Sequence, residues 1–72
     1  MLQAILIKIA VKRAEKKFTQ NYMASQLGIS QSYYNKIENG KKEITLKKII
    51  EITTILNIDI QELFNQKNKS LT

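Results

Sequence analysis

The chain of 72 residues contains no proline and only two glycines, Gly28 and Gly40. Proline and glycine are the residues that most strongly interrupt helices and form turns, so their scarcity favours helices joined by very short connections. Each glycine follows an apolar periodic segment, where a left-handed residue commonly closes a helix. We therefore predict an all-α fold, a compact bundle of five short helices without strands.

Capping residues and apolar periodicity locate these helices. The first should extend to about Lys17, and the two glycines should end the second and third. The predicted starts, counting the N-cap residue, are Leu2, Thr19, Ser30, Thr45 and Asp59. Glu62, three residues after Asp59, completes a capping box. The domain is predicted to span residues 1–64, and residues 65–72 are predicted to form a polar, flexible tail.

In the fourth helix, the residues predicted to recur on the apolar side are Leu46, Ile49, Ile50, Thr53 and Leu56, with Ile52 flanking them. The first helix is apolar over a wider arc than one core-facing stripe needs, because Ile7 and Val11 extend it. Two explanations stay open at this point, a helix wedged deeply into the core and a contact between subunits.

Charge and composition restrict the function. Twelve Lys or Arg residues face six Asp or Glu residues, giving a net charge of +6. Such a balance favours a polyanionic partner, either nucleic acid or an anionic membrane. The chain has no histidine and no cysteine, and no nucleophile–base pair or metal-ligand cluster is recognisable. We expect no enzyme activity, no cofactor and no metal.

Membrane insertion is not expected either. The apolar run near the N-terminus is short and is interrupted by Lys8, and no segment is long enough to cross a bilayer. No basic region precedes that run and no small-residue cleavage site follows it, so it is not interpreted as a signal peptide. We expect a cytoplasmic protein.

The segment from Gly28 to Gly40 combines a tight turn with a short polar helix. Only Gly28, Ile29 and Ser30 separate the two predicted helices, and such a turn sets consecutive helices at a steep angle. At 100° per residue, an arc of about 140° on the second of them holds four polar side chains and no carboxylate. These side chains are Gln31, Ser32, Asn35 and Lys36. All four residue types can hydrogen-bond to base edges in the major groove.

The other side of this helix is predicted to carry Tyr33, Tyr34, Ile37 and Glu38, with Tyr34 and Ile37 as its apolar anchors. An ordinary solvated helix face is the alternative interpretation of the polar arc. The tight turn favours DNA binding instead. So do the two lysines after Gly40, which would lie beside the phosphate backbone and add affinity without sequence information.

Residues 19–42 resemble the helix-turn-helix of phage repressors and Cro, in the xenobiotic-response-element group of bacterial regulators. The resemblance covers about residues 5–64. Its most specific elements are Thr19-Gln20, Ala24, Leu27-Gly28-Ile29-Ser30 and Ile37-Glu38-Asn39-Gly40. It implies a lambda-repressor-like domain and sequence-specific binding of double-stranded DNA by a small transcriptional regulator. The chain departs from the family pattern at Lys17, where glycine is common, at Tyr34, where a smaller aliphatic residue is usual, and at Ile44, where proline is frequent.

The resemblance also implies residue roles. Base contacts are implied for Gln31, Ser32 and Lys36, and Asn35 corresponds to a position that contacts either base or phosphate. The predicted phosphate contacts include the two lysines after Gly40. The full set is Gln20, Ser30, Asn39, Gly40, Lys41 and Lys42. Arg13 and Glu38 correspond to a partly buried ion pair that ties the first helix to the third.

A single short helix distinguishes too few base pairs to select one site in a genome. We therefore expect a homodimer on a near-palindromic operator. The third helix of one subunit would lie about one DNA turn, ~34 Å, from the third helix of the other. The predicted dimer surface consists of Ile58, Ile60, Leu63 and Phe64, as the resemblance also suggests, with a contribution from the first helix. A chain of this length leaves no room for an inducer domain, so no small-molecule ligand is expected. The alternative is that the fifth helix only closes the monomer core.

Several hypotheses remain open. Within the DNA-binding class the chain fits a phage-type repressor, a restriction–modification controller or an antitoxin. A protein–protein interaction module of the same fold is a second class, supported by the apolar first helix but not by the polar, basic arc of the third. An amphipathic membrane binder is a third class, disfavoured because the caps and turns specify a compact globule.

Overall fold

The computed structural model describes residues 2–64, and all regular secondary structure in that range is helical. The five helices are α1 Leu2–Glu15, α2 Gln20–Leu27, α3 Gln31–Glu38, α4 Leu46–Leu56 and α5 Gln61–Phe64. The prediction of an all-α bundle of five helices is confirmed. The tail predicted over residues 65–72 lies outside the described residues.

Side-chain caps begin four of the helices where the sequence predicts them. Thr19, Ser30 and Thr45 have extended backbones, and each side-chain oxygen accepts a hydrogen bond from the backbone N–H three residues further on, at 2.9–3.1 Å. Before α5, the backbone N–H of Asp59 donates to the carboxylate of Glu62 at 3.1 Å, as in a capping box. These bonds satisfy backbone donors that a helix start otherwise leaves free.

Helix α1 ends two residues earlier than predicted. Lys17 has a positive φ of 64°, and the backbone N–H of Phe18 donates to the carbonyl of Arg13 at 3.1 Å. This hydrogen bond closes the helix in the manner of a Schellman motif, with Lys17 in the left-handed position that glycine commonly fills. The sequence offers no glycine there, so the prediction placed this residue inside the helix.

The core receives side chains from every helix. Its fully or almost fully buried apolar residues are Ile5, Leu6, Ile9, Met23, Ala24, Tyr34, Ile37, Ile49, Ile52, Leu56 and Leu63. Helix α1 contacts α3, α4 and α5, while α2 contacts α3 and α4. Helix α3 is thus held from two sides.

The buried face of α4 differs from the predicted one. Leu46 and Ile50 are exposed, whereas Ile52 is fully buried beside Ile49 and Leu56. At 100° per residue these three residues and the buried Thr53 share one face, and Leu46 and Ile50 lie at its edge. Of the residues predicted on the apolar side, Leu46 and Ile50 therefore lie outside the core, and the flanking Ile52 lies inside it.

The outward side of α1 is apolar and exposed. Ile7 is 56% exposed and Val11 is 48% exposed, while Ile5 and Ile9 are buried on the opposite side. The explanation of a deeply wedged helix is therefore wrong, and the explanation of a subunit contact stays a prediction. Among the described residues, no helix has both the length and the apolar character needed to span a membrane.

Candidate nucleic-acid interface

A three-residue turn joins α2 to α3. Gly28 closes α2 with a φ of 72°, a conformation that L side chains rarely adopt, and the N–H of Ile29 donates to the carbonyl of Ala24 at 3.0 Å. Ser30 then caps α3 directly. This local chemistry allows the two helices to follow one another with only three residues between them.

Helix α3 buries one side and exposes the other. Tyr34 and Ile37 are buried, and the exposed polar residues are Gln31, Ser32 and Lys36. Tyr33, which was predicted on the inner side, is 40% exposed. It lies 60° from Lys36 on the helical wheel, so it borders the polar arc and belongs to the same accessible surface.

The structure contains the ion pair between α1 and the end of α3. Arg13 donates through Nε to Oε2 of Glu38 at 2.8 Å and through Nη2 to Oε1 at 3.3 Å. Its Nη1 donates to the carbonyl of Phe18 at 2.8 Å. The Glu38 side chain is only 5% exposed, so water screens this pair weakly.

Two further groups donate to the same carboxylate. The hydroxyl of Tyr34 donates to Oε2 at 2.6 Å, and the amide nitrogen of Gln20 donates to Oε1 at 3.0 Å. Burial by itself raises the pKa of Glu38, but the hydrogen bonds from Arg13, Tyr34 and Gln20 outweigh burial, and the net pKa lies below its ordinary value. Burial and the bond to Glu38 raise the pKa of Tyr34. The bulky Tyr34 is therefore buried with its hydroxyl bonded to a carboxylate.

This cluster predicts a loss of stability in acid. The pKa of Glu38 is lower in the folded protein than in the unfolded chain, where it is about 4.3. The unfolded state therefore binds the proton more readily, so the stabilisation is present in full above the unfolded pKa and is lost as the pH falls through the folded pKa. Thermal unfolding followed from neutral to acid pH measures this loss. Glu38→Gln is the control, and its unfolding midpoint is expected to fall less steeply; parallel curves would contradict the assignment.

A chain of side-chain amides extends from this cluster to the surface. The amide nitrogen of Asn35 donates to Oε1 of Gln20 at 3.1 Å, and the amide nitrogen of Asn39 donates to Oδ1 of Asn35 at 3.2 Å. Both Gln20 and Asn35 are half-buried. Among the predicted base contacts, Asn35 is thus the one whose side-chain nitrogen and oxygen both already form hydrogen bonds within the protein.

Sequence reasoning missed these bonds, although part of the signal was present. Tyr34 and Glu38, and likewise Asn35 and Asn39, are four residues apart on one helix, which places their side chains side by side. The bonds made by Gln20 had no local signal, because its partners are 15 and 18 residues away in the chain.

The remaining candidates for phosphate contact form a continuous exposed surface after α3. It consists of Asn39, Gly40, Lys41 and Lys42. Gly40 has a φ of 76°, and the N–H of Lys41 donates to the carbonyl of Lys36 at 2.8 Å, which ends α3. Ser30 is exposed at the opposite end of α3, where its oxygen caps the helix.

The structure leaves fewer residues available for the predicted dimer surface. Leu63 is fully buried in the single chain, so it can add no contact area to an interface. Ile58 and Ile60 are partly buried against the core, and Phe64 is 39% exposed. Helix α5 therefore closes the monomer core through Leu63 while Phe64 stays accessible.

Comparisons with known proteins agree with this geometry. A family model described as helix-turn-helix matches residues 6–63. The control protein C.MunI of Mycoplasma sp is 35% identical over 63 residues, which cover 86% of this chain and 85% of that protein. No solved structure matches the chain significantly.

Two phage-derived proteins are also similar. The ImmF control region 10 kDa protein of Bacillus phage phi105 is 38% identical over 52 residues, which cover 72% of this chain and 58% of that protein. The cryptic phage CTXphi transcriptional repressor RstR of Vibrio cholerae is 36% identical over 56 residues, which cover 78% of this chain and 50% of that protein. The chain thus spans 58% and 50% of the length of these two relatives.

Proposed function

Because this chain belongs to the helix-turn-helix family of phage-repressor and Cro-type transcriptional regulators, we propose that it binds double-stranded DNA sequence-specifically as a small homodimer. In this proposal α3 enters the major groove and the residues after α3 contact the phosphate backbone. The family and the relatives are regulators that bind DNA rather than enzymes.

The observation that carries the proposal is the division of charge on α3. Its carboxylate, Glu38, faces inward and is neutralised by Arg13, while Gln31, Ser32 and Lys36 are exposed. A groove lined by phosphates would repel an exposed carboxylate, and it accepts amide, hydroxyl and ammonium donors. In this proposal Gln31, Ser32 and Lys36 contact base edges.

Phosphate contacts are assigned to both ends of α3. Asn39, Gly40, Lys41 and Lys42 would contact one stretch of backbone. Ser30 and Gln20 would contact another, since the hydroxyl hydrogen of Ser30 stays available while its oxygen caps the helix. These contacts would fix the register of α3 in the groove without adding sequence preference.

The homodimer would form through α5 and the segment before it. Phe64 supplies the exposed apolar side chain, and Ile58 and Ile60 supply the partly buried ones. A two-fold dimer presents its two α3 helices to half-sites in opposite orientation, so the operator would be near-palindromic. Because relatives are named control protein and transcriptional repressor, we propose regulation of transcription by occupancy of that operator.

A pair of alanine substitutions tests the proposed base contacts and the proposed phosphate contacts. Gln31→Ala removes a proposed base contact and is expected to weaken operator binding by about 1–3 kcal/mol and to relax specificity at one base pair. Lys41→Ala removes a proposed phosphate contact and is expected to weaken all sequences alike, with a shallower salt dependence. Fluorescence anisotropy on an operator duplex and its single-base-pair variants measures both. Unchanged operator affinity in Gln31→Ala would show that this side chain does not contact a base.

A protein–protein interaction module is the second candidate function, favoured by the exposed Ile7 and Val11 on the outer side of α1. Such a module would use α1 and leave α3 unoccupied. Substitutions on the two surfaces separate the two functions. In the module Ile7→Lys would abolish partner binding and Gln31→Ala would leave it unchanged, whereas in the DNA-binding regulator Gln31→Ala would weaken operator binding.

A further inference from the structure

The direction of every hydrogen bond in the amide chain is set by one buried charge. An ionised carboxylate only accepts hydrogen bonds, so Glu38 forces the nitrogen of the Gln20 amide to face it. The oxygen of Gln20 must then face away, and it accepts from the nitrogen of Asn35. The oxygen of Asn35 in turn accepts from the nitrogen of Asn39. We call this series, from Glu38 through Gln20 and Asn35 to Asn39, the amide relay.

The relay links two of the proposed phosphate contacts. Gln20 lies at the start of α2, and Asn39 caps the end of α3. Asn35 is the only member that bonds to both, at 3.1 and 3.2 Å. Each of the three amide nitrogens has two N–H donors and uses one inside the relay, so one donor of fixed orientation remains on each.

We propose that Asn35 is a positioning residue that holds the Gln20 and Asn39 amides in the orientation in which they donate to DNA, rather than a residue that distinguishes bases. This inference rests on the proposed function for its effect on DNA binding, while the relay itself exists in the free protein. Gln31, Ser32 and Lys36 are exposed, whereas Asn35 is half-buried between its two amide partners. Base discrimination therefore belongs to the first three, and Asn35 acts through its neighbours.

The first test uses affinity and a double-mutant cycle. Asn35→Ala is expected to weaken binding about three- to tenfold, equally for an operator duplex selected from random DNA and for its single-base-pair variants. Asn35→Ala combined with Gln20→Ala is expected to lose less than the product of the two single losses, because part of the effect of Asn35 passes through Gln20 and part through Asn39. A loss of discrimination confined to one base pair, or losses that multiply in the double variant, would overturn the proposal.

The second test needs no DNA and separates a failure of the relay from a failure of the proposed function. In the free protein, side-chain amide resonances of Gln20 and Asn39 are expected to exchange with solvent slowly. Asn35→Ala should accelerate the exchange of Asn39, whose N–H donates to Asn35, while the N–H of Gln20 keeps its bond to Glu38. Ser32→Ala is the matched control on the same helix and should change neither resonance. Unchanged exchange in Asn35→Ala would overturn the relay, whether or not the protein binds DNA. Accelerated exchange in a protein without DNA affinity would instead contradict the proposed function.

Discussion

Arg13→Met is expected to lower the free energy of unfolding by about 3 kcal/mol, which is a large part of the stability of a domain this small. Methionine resembles the aliphatic part of the side chain and keeps its helix propensity, but it leaves the Glu38 carboxylate, which is 5% exposed, without its cation. The Tyr34 and Gln20 hydrogen bonds remain, so the site keeps its shape while losing its charge balance. Urea denaturation measures the change.

Lys12→Met is the matched control for this prediction. Lys12 is the adjacent residue of α1, and its ammonium lies 3.6 Å from the carboxylates of Glu15 and Glu62, where solvent reaches both ion pairs. Exposed pairs contribute about 0–1 kcal/mol, so this control should unfold close to the wild type. Equal effects of the two substitutions would mean that the Arg13 ion pair is no more important than a surface pair.

Leu63→Ala is expected to destabilise the monomer by about 2–5 kcal/mol, because it removes a fully buried side chain and leaves a cavity in the core. Phe64→Ala, at the adjacent position, removes a side chain that is 39% exposed. It is expected to weaken self-association at least about tenfold, as aromatic anchors do in interfaces, with little change in monomer unfolding. Denaturation at low protein concentration and sedimentation equilibrium measure the two effects.

The adjacent pair also separates the two roles proposed for α5. If Phe64→Ala leaves self-association unchanged, α5 closes the monomer only and the dimer surface lies elsewhere. If Leu63→Ala leaves unfolding unchanged, the packing of α5 on the core is not what stabilises the chain.

Local chemistry made much of this fold predictable. The caps at Thr19, Ser30 and Thr45, the left-handed Gly28 and the capping box before α5 all depend on residues within a few positions of one another. The polar arc of α3 follows from helical periodicity alone. These features need no knowledge of what packs against them, so the sequence is sufficient to place them.

Other features could not be predicted from the sequence by local rules. Lys17 occupies a left-handed position that its own residue type does not indicate, and only the glycine common at this position in the family signals it. The buried face of α4 depends on where α1 and α2 lie, so Ile50 could not be excluded from the core by its spacing. The bonds of Gln20 to Glu38 and Asn35 join α2 to α3, and no spacing rule connects these positions.

The partly buried ion pair could be predicted from the family resemblance but not from the residues alone. Arg13 and Glu38 are 25 residues apart, and only the resemblance to the phage-repressor family indicated that they meet. Physical reasoning from the residues alone would have left Arg13 as one more cation of a basic helix. Its three hydrogen bonds, two to Glu38 and one to the Phe18 carbonyl, show instead a residue that fixes α1 to α3.

Selection of bound duplexes from a random DNA pool tests most directly whether the exposed arc of α3 discriminates between bases. We expect enrichment of a near-palindromic sequence whose half-sites lie about one helical turn, ~34 Å, apart. Gln31→Ala should select the same palindrome with one position in each half-site relaxed. A pool that stays random after repeated rounds at low salt, with the wild-type protein folded, would contradict sequence-specific DNA binding by this chain.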